Sequence, residues 1–154
     1  MDIAYLADHL EYAPQLAAWF HGEWSYLYPA RTLAEVEASI RERAEKNRLP
    51  LAMLALENKQ LLGTVCLKTH DMDTRTELSP WLAGLFVAPD HRRRGIGAQL
   101  VRAIENQALS LGIDNLYLYT PASEQFYLAR GWHSLEHTDY HGHPVVIMRK
   151  ALAG

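Results

Sequence analysis

A mixed α/β sheet with helices on both faces is the fold class this chain predicts, and three observations carry it. Short apolar segments alternate with stretches of helical periodicity along the whole sequence. One segment, Trp81 to Val87, is apolar throughout, as expected of a central strand covered on both faces. That segment runs into a turn, a basic glycine loop and another helical pattern.

The elements follow in order. Ile3 to Leu6 reads as a short strand. Ala13, Leu16, Ala17, Phe20 and Trp24 mark a helical region, with Pro14 suited to its first turn. Thr32-x-x-Glu35 is a capping box that opens a second helix with Leu33, Val36, Ile40 and Ala44 on one face. Leu51–Glu57 and Gln60–Thr69 flank Asn58-Lys59 as a hairpin. Ile96, Leu100, Ile104, Ala108 and Leu111 recur at helical spacing, and Gly112 suits the residue beyond a helix end. Leu116 to Tyr119 is the next strand, and a short helix carries Phe126 and Tyr127. Trp132–His137 and His143–Met148 complete a set of about seven strands.

At 154 residues the chain is long enough to bury a core, and 1–154 is expected to be one domain. It is 49% hydrophobic and 21% charged, a globular balance. A formal charge of −3 argues against nucleic acid as the main partner, because phosphate contacts need a basic face. Cys66, the single cysteine, excludes an internal disulfide and fits a reducing cytosol. Its apolar strand predicts a buried, inert thiol. No apolar run approaches the ~20 residues of a membrane span. Met1-Asp2-Ile3-Ala4-Tyr5 lacks the basic and long apolar regions of a signal peptide, so a cytoplasmic location is expected.

The chemistry is concentrated in Leu85-Phe86-Val87-Ala88-Pro89-Asp90-His91-Arg92-Arg93-Arg94-Gly95-Ile96-Gly97-Ala98. Arg92, Arg93 and Arg94 bring positive charge. Gly95 and Gly97 allow close backbone approach. The helix that follows offers unpaired N–H groups and the positive end of a dipole. Together these make an anion site suited to a diphosphate. A Walker loop would need Lys-Ser/Thr after the glycine, where Ala98-Gln99 stand; a dinucleotide fingerprint would need glycine where Leu100 stands.

The pattern that remains, Val87-x-Pro89 followed by Arg92-x-x-Gly95-x-Gly97, resembles the acetyl-CoA loop of the GNAT superfamily of N-acyltransferases. Phe126-Tyr127-Leu128-Ala129-Arg130-Gly131-Trp132 resembles a second motif of that superfamily, which places a tyrosine beside the CoA sulfur. The resemblance covers roughly residues 51–150 and implies a mixed, mostly antiparallel sheet. It implies acetyl transfer from acetyl-CoA to a primary amine by direct attack in a ternary complex, with no metal. CoA contacts fall to Leu85, Phe86 and Val87 on a bulged strand and to Arg92, Arg93, Arg94, Gly95, Ile96, Gly97 and Ala98. Gly84 marks either that distortion or relief of crowding. Where many members carry an asparagine that contacts CoA, this chain has Thr120, which puts that contact in doubt. Ser123 is counted with Thr120 among the expected CoA contacts and is expected to begin the short helix as a cap.

Tyr127 is the candidate acid for the departing thiolate, since its ordinary pKa of about 10 lies near the thiol's ~8.5. Glu77 is the nearest candidate base, with Asp71, Asp73 and His70 in the same connection and a water chain as an alternative. Trp24, Tyr28, Trp81, His141 and His143 are the expected acceptor walls. His137, His141 and His143 lack the companion ligands of a metal site. A small-molecule amine is the expected partner, and a homodimer is left open. The alternatives are a protein N-terminal or lysine acetyltransferase and a non-catalytic acyl-CoA-binding module.

Overall fold

The alternation is realised as seven strands and four helices in a computed structural model that describes residues 1–152. The last two residues of the expected 1–154 domain lie outside that description. The strands are β1 (Asp2–Tyr5), β2 (Leu51–Glu57), β3 (Gln60–Lys68), β4 (Trp81–Val87), β5 (Asn115–Thr120), β6 (His133–Tyr140) and β7 (His143–Ala151). The helices are α1 (Ala13–Trp24), α2 (Leu33–Arg41), α3 (Ile96–Ser110) and α4 (Glu124–Leu128). The sheet is open, in the order β1-β2-β3-β4-β5-β7-β6. Every neighbouring pair is antiparallel except β4 with β5.

Period-2 alternation explains the two-sided core. On β2, Leu51, Met53 and Ala55 face one way and meet Ile96, Leu100, Ile104 and Ala108 of α3. Ala52 and Leu54 face the other way and meet Leu16, Ala17 and Phe20 of α1 with Val36 and Ile40 of α2. Asn58 and Lys59 both have positive φ (52° and 66°), as a two-residue hairpin turn of the primed kind requires. The capping box forms in both directions, each hydrogen bond 3.1 Å long.

Two details of α2 differ from expectation. Leu33 is 49% exposed rather than on the core face. The helix stops at Arg41, and Ala44 instead forms an isolated antiparallel bridge to Leu51. The reason is local: the Arg43 carbonyl accepts the Ala52 N–H at 3.1 Å, so the backbone here is claimed by β2. This departure fixes where the Arg43 side chain starts.

Trp81, expected to line an acceptor wall, is fully buried. Its indole N–H donates to the Leu78 carbonyl at 2.8 Å, and its ring packs with Leu27, Met72, Tyr117 and Tyr119. It belongs to the core because β4 starts there, at the single register pair that β4 shares with β5. No helix among the described residues is long and apolar enough to cross a membrane. Trp81→Ala is expected to destabilise the protein by about 3–5 kcal/mol through cavity formation, as measured by denaturant titration.

Candidate functional site

β4 and β5 are in parallel register at a single pair, Trp81 with Tyr117. Beyond it they separate, leaving the facing edges of both strands without a strand partner. A bulge bends β4 at this point: on β3 only Val65 lies between Thr64 and Cys66, whereas Gly84 and Leu85 both lie between their partners Phe86 and Ala83. Gly84 has φ +61°, and a Cβ there would sit 3.2 Å from the Arg43 Nη1 and from Phe20. Distortion and crowding therefore both require glycine. The gap opens into a continuous cavity of about 950 Å³.

One end is the arginine–glycine loop. Gly95 caps α3 with φ +79°, and Arg93 also has positive φ, +65°. Among the described residues, no protein acceptor meets the backbone N–H groups from Arg93 to Ala98. This is the donor concavity of a helix start and turn. A Cβ at Gly97 would make only ordinary contacts, 3.6 Å to Phe126 and 3.7 Å to Val87, so packing alone does not demand glycine there. The Arg92 Nε donates to the Val87 carbonyl at 2.9 Å, its guanidinium lies over Phe86, and both Arg92 and Arg93 line the cavity. Arg94 does not: it turns outward to Glu57 (3.1 Å) and His91 (2.9 Å), because that carboxylate stands behind the loop.

The middle carries Leu85, Phe86 and Val87 on one wall and Thr120, Ser123 and Tyr127 on the other. Thr120 Oγ1 accepts the Ser123 N–H at 2.9 Å. Ser123 occupies the cap position of α4 but makes no side-chain capping bond. Tyr127 is nearly buried, its ring braced edge-on by Trp132, while its hydroxyl makes no hydrogen bond among the described residues. Burial pushes that hydroxyl well above its ordinary pKa, with Arg130 opposing. It therefore stays protonated, and the near-balance with a thiol expected from its ordinary value does not hold here.

The far end is polar and aromatic. The Tyr28 hydroxyl shares hydrogen bonds with those of Tyr119 (2.9 Å) and Tyr140 (3.2 Å). Asp71 lies beside them, paired with Lys68 at 3.4 Å, its side chain 15% exposed. Burial raises its carboxyl, with Lys68, Arg43 and Arg31 opposing. Trp24, Tyr26, Arg31 and Arg43 complete this end. Tyr119 was open to detection, since β5 alternates buried Leu116 and Leu118 with half-buried Tyr117 and Tyr119. Arg31 and Arg43 carry no local signal.

Three further expected residues do not line the cavity. Glu77 is exposed and bonded to Arg75 at 2.8 Å, which holds its carboxyl below the ordinary value. His143 packs edge-on behind Tyr26. His141 lies behind the tyrosines, with Nδ1 2.6 Å from the Leu27 carbonyl and Nε2 3.0 Å from Asp73. No group of three or more metal-ligating side chains converges among the described residues.

The sequence model of the "Acetyltransferase (GNAT) family" matches residues 13–132. The chain is 32% identical over 109 residues to "Acetyl transferase GW6a" of Oryza sativa subsp. japonica. That match covers 63% of this chain but 26% of the rice protein, so the chain spans about a quarter of that relative's length. In fold it is similar to a ribosomal-protein-alanine N-acetyltransferase from Brucella melitensis (TM-score 0.76, 16% identity, 98% of this chain and 99% of that one). It is also similar to an aminoglycoside 6'-N-acetyltransferase complexed with coenzyme A (TM-score 0.73, 18% identity, 100% and 98%). At such identities the likeness is one of fold alone.

Both His141 ring nitrogens face acceptors, an arrangement that only the protonated ring satisfies. Its pKa is accordingly raised above 6.5, first by the Leu27 carbonyl and then by Asp73. The stabilisation is fully present below the unfolded pKa and fades as pH rises through the folded one. NMR titration is expected to give His141 a pKa above the ordinary value; Asp73→Asn should lower it only in part, because the Leu27 contact remains.

Proposed function

Since the chain belongs to the GNAT acetyltransferase family, we propose that it transfers the acetyl group of acetyl-CoA to the primary amine of a small molecule, by direct attack in a ternary complex. One observation carries this reading: a single cavity runs from the arginine–glycine loop, past Tyr127, to Asp71. The residues present suit acetyl-CoA. Free N–H groups, Arg92 and Arg93 match a pyrophosphate, bare Gly97 leaves room for its approach, and the unpaired β4 edge from Leu82 to Val87 can hydrogen-bond an amide-bearing arm. The co-substrate supplies an activated acyl thioester.

The chain's residues then divide the work. Backbone N–H groups on the bulged strand offer donors to a developing oxyanion. Asp71 accepts a proton from the incoming ammonium; its raised carboxyl pKa brings it closer to that task than an ordinary aspartate. It takes the place of Glu77, which stands outside the cavity. Tyr127 holds a proton at Oη and donates a hydrogen bond to the sulfur as the C–S bond breaks; the sulfur leaves as CoA thiolate and takes up the second proton, which the attacking nitrogen sheds on becoming an amide. Cys66 is buried and its thiol pushed up by that burial, so a covalent enzyme intermediate has no nucleophile there. The walls contributed by the α1–α2 connection and the β6–β7 hairpin favour a small acceptor over a folded protein. The buried thiol keeps the cytosol as the proposed compartment.

Gly97→Val should fold normally and lose CoA binding in titration calorimetry, because the added methyl groups occupy the approach to the loop. Unchanged affinity would remove the loop from the site. Tyr127→Phe and Asp71→Asn should each lower kcat by about 10²–10⁴, with acetyl-CoA affinity retained. The pH profile separates the two. Asp71 works as the carboxylate, so the acid limb through its raised pKa should vanish in Asp71→Asn and persist in Tyr127→Phe. A kcat within about twofold of wild type for either variant would remove that residue from the reaction.

A further inference from the structure

We propose that the acceptor is an amino carboxylate, its ammonium end received by Asp71 and its carboxylate by Arg43 and Arg31. This rests on the acetyltransferase reading above and names the substrate class of that same cavity.

The argument starts from charge. Arg31, Arg43 and Lys68 all line the acceptor end. Lys68 is satisfied by Asp71. Asp73, the next carboxylate, is taken by His141 at 3.0 Å. Glu23 on the rim is exposed. Among the described residues, neither Arg31 nor Arg43 has a carboxylate within ion-pair distance. Each is instead stacked on an aromatic ring, Arg43 at 5.4 Å over Phe20 and Arg31 at 5.7 Å over Tyr28. Stacking orients a guanidinium without neutralising it. Asp71 lies close enough for both guanidinium groups to act on its charge, but it is paired directly with Lys68 alone, so three cations share one carboxylate at this end. Two pre-oriented guanidinium groups without a direct ion-pair partner are suited to a planar carboxylate, which each can bind with two parallel hydrogen bonds.

Position separates this feature from the pyrophosphate loop. Arg43 Nη1 reaches to 3.2 Å from where a Gly84 Cβ would stand, at the β4 bulge. Arg92 and Arg93 belong to the loop after that strand, where Arg92 is held by the Val87 carbonyl at the strand's C-terminal end. Arg43 gets there because α2 ends early and the bridge to β2 turns the chain inward. The same cations disfavour a polycationic acceptor, whose ammonium groups would meet like charge without screening. The faces of Tyr28, Tyr119 and Tyr140 provide the wall for the body of the molecule.

The test measures thiol release from acetyl-CoA with the common α-amino acids, β-alanine and γ-aminobutyrate. Each reactive acid is paired with its carboxamide, and an aminoglycoside serves as the polycation. At least one amino carboxylate should be acetylated with kcat/KM about tenfold or more above its carboxamide, the difference lying mainly in KM, as expected for a charge-assisted hydrogen-bonded pair. In Arg43→Gln that ratio should collapse to within about twofold of one, a loss of the same tenfold. Arg31→Gln, which leaves the Phe20 stack intact, should reduce the ratio in the same direction and guards against a folding defect at Arg43. Carboxamides or the aminoglycoside reacting as well as the carboxylates would overturn the proposal and leave the acetyltransferase standing. So would CoA binding with no amino carboxylate acetylated. Absence of CoA binding in calorimetry would remove the acetyltransferase reading itself, and this proposal with it.

Discussion

Backbone hydrogen bonding between β4 and β5 stops after Trp81 and Tyr117, and that interruption creates the cavity. Interior N–H and C=O groups are almost always paired, because an orphan loses about 1–3 kcal/mol of hydration without return. A sheet that parts in its middle must therefore open those edges to water or to a ligand. The device that enforces the parting is local. The extra residue on β4 bends the strand, and only glycine can take φ +61° at Gly84 with Phe20 and Arg43 so close. The closed end of the wedge is filled by Trp81, whose indole is hydrogen-bonded and packed against Tyr117 and Tyr119. One end of the gap is thus solid core and the other is open cavity.

The gap also sorts charge. Arg92 and Arg93 face it at the α3 end, where helix dipole and free N–H groups add to their field. At the opposite end cations and carboxylates are mixed, and burial raises the Asp71 carboxyl. Burial raises Tyr28 and Tyr119 as well, and the charge of Asp71 raises both further. These phenols stay neutral donors and acceptors, so the charge of that end is set by Asp71 and its surrounding cations. The two ends differ chemically although they share one strand as a wall.

Most of the fold was legible in the sequence because it rests on short-range rules. Strand alternation, the Thr32 capping box, the Asn58-Lys59 turn and the glycine loop each depend on neighbours within a few residues. The loop end of the site was legible for the same reason. Arg94 turns away from the cavity toward Glu57, 37 positions away, which no local pattern reveals. The acceptor end depends on long-range packing throughout. Trp81, His141 and His143 lie on segments that border the cavity, but the direction of each side chain is decided by a distant group: Leu78 for Trp81, Leu27 and Asp73 for His141, Tyr26 for His143. Arg43 could not be placed at all from a pattern that continues α2 to Ala44.

The environment of Tyr127 bears on the role proposed for it. Compared by ordinary pKa values, a phenol and a thiol can pass a proton with little net change. Burial removes that symmetry: the Tyr127 anion would be poorly solvated, and Arg130, the one opposing charge, already spends its guanidinium on the Phe126 carbonyl and ring. The neutral hydroxyl is therefore the stable form throughout the working pH range. Such a group is most effective as a fixed hydrogen-bond donor that strengthens as negative charge develops, and any proton it gives is quickly regained. The ring is held for this by Trp132, whose own N–H is anchored to Glu105 at 3.1 Å, while Lys150 holds the same carboxylate at 2.9 Å. The Phe-Tyr and Gly-Trp halves of the motif are thus one mechanical unit: Gly131 turns the chain at φ +88°, Trp132 comes back against Tyr127, and Tyr127 is held in the cavity wall.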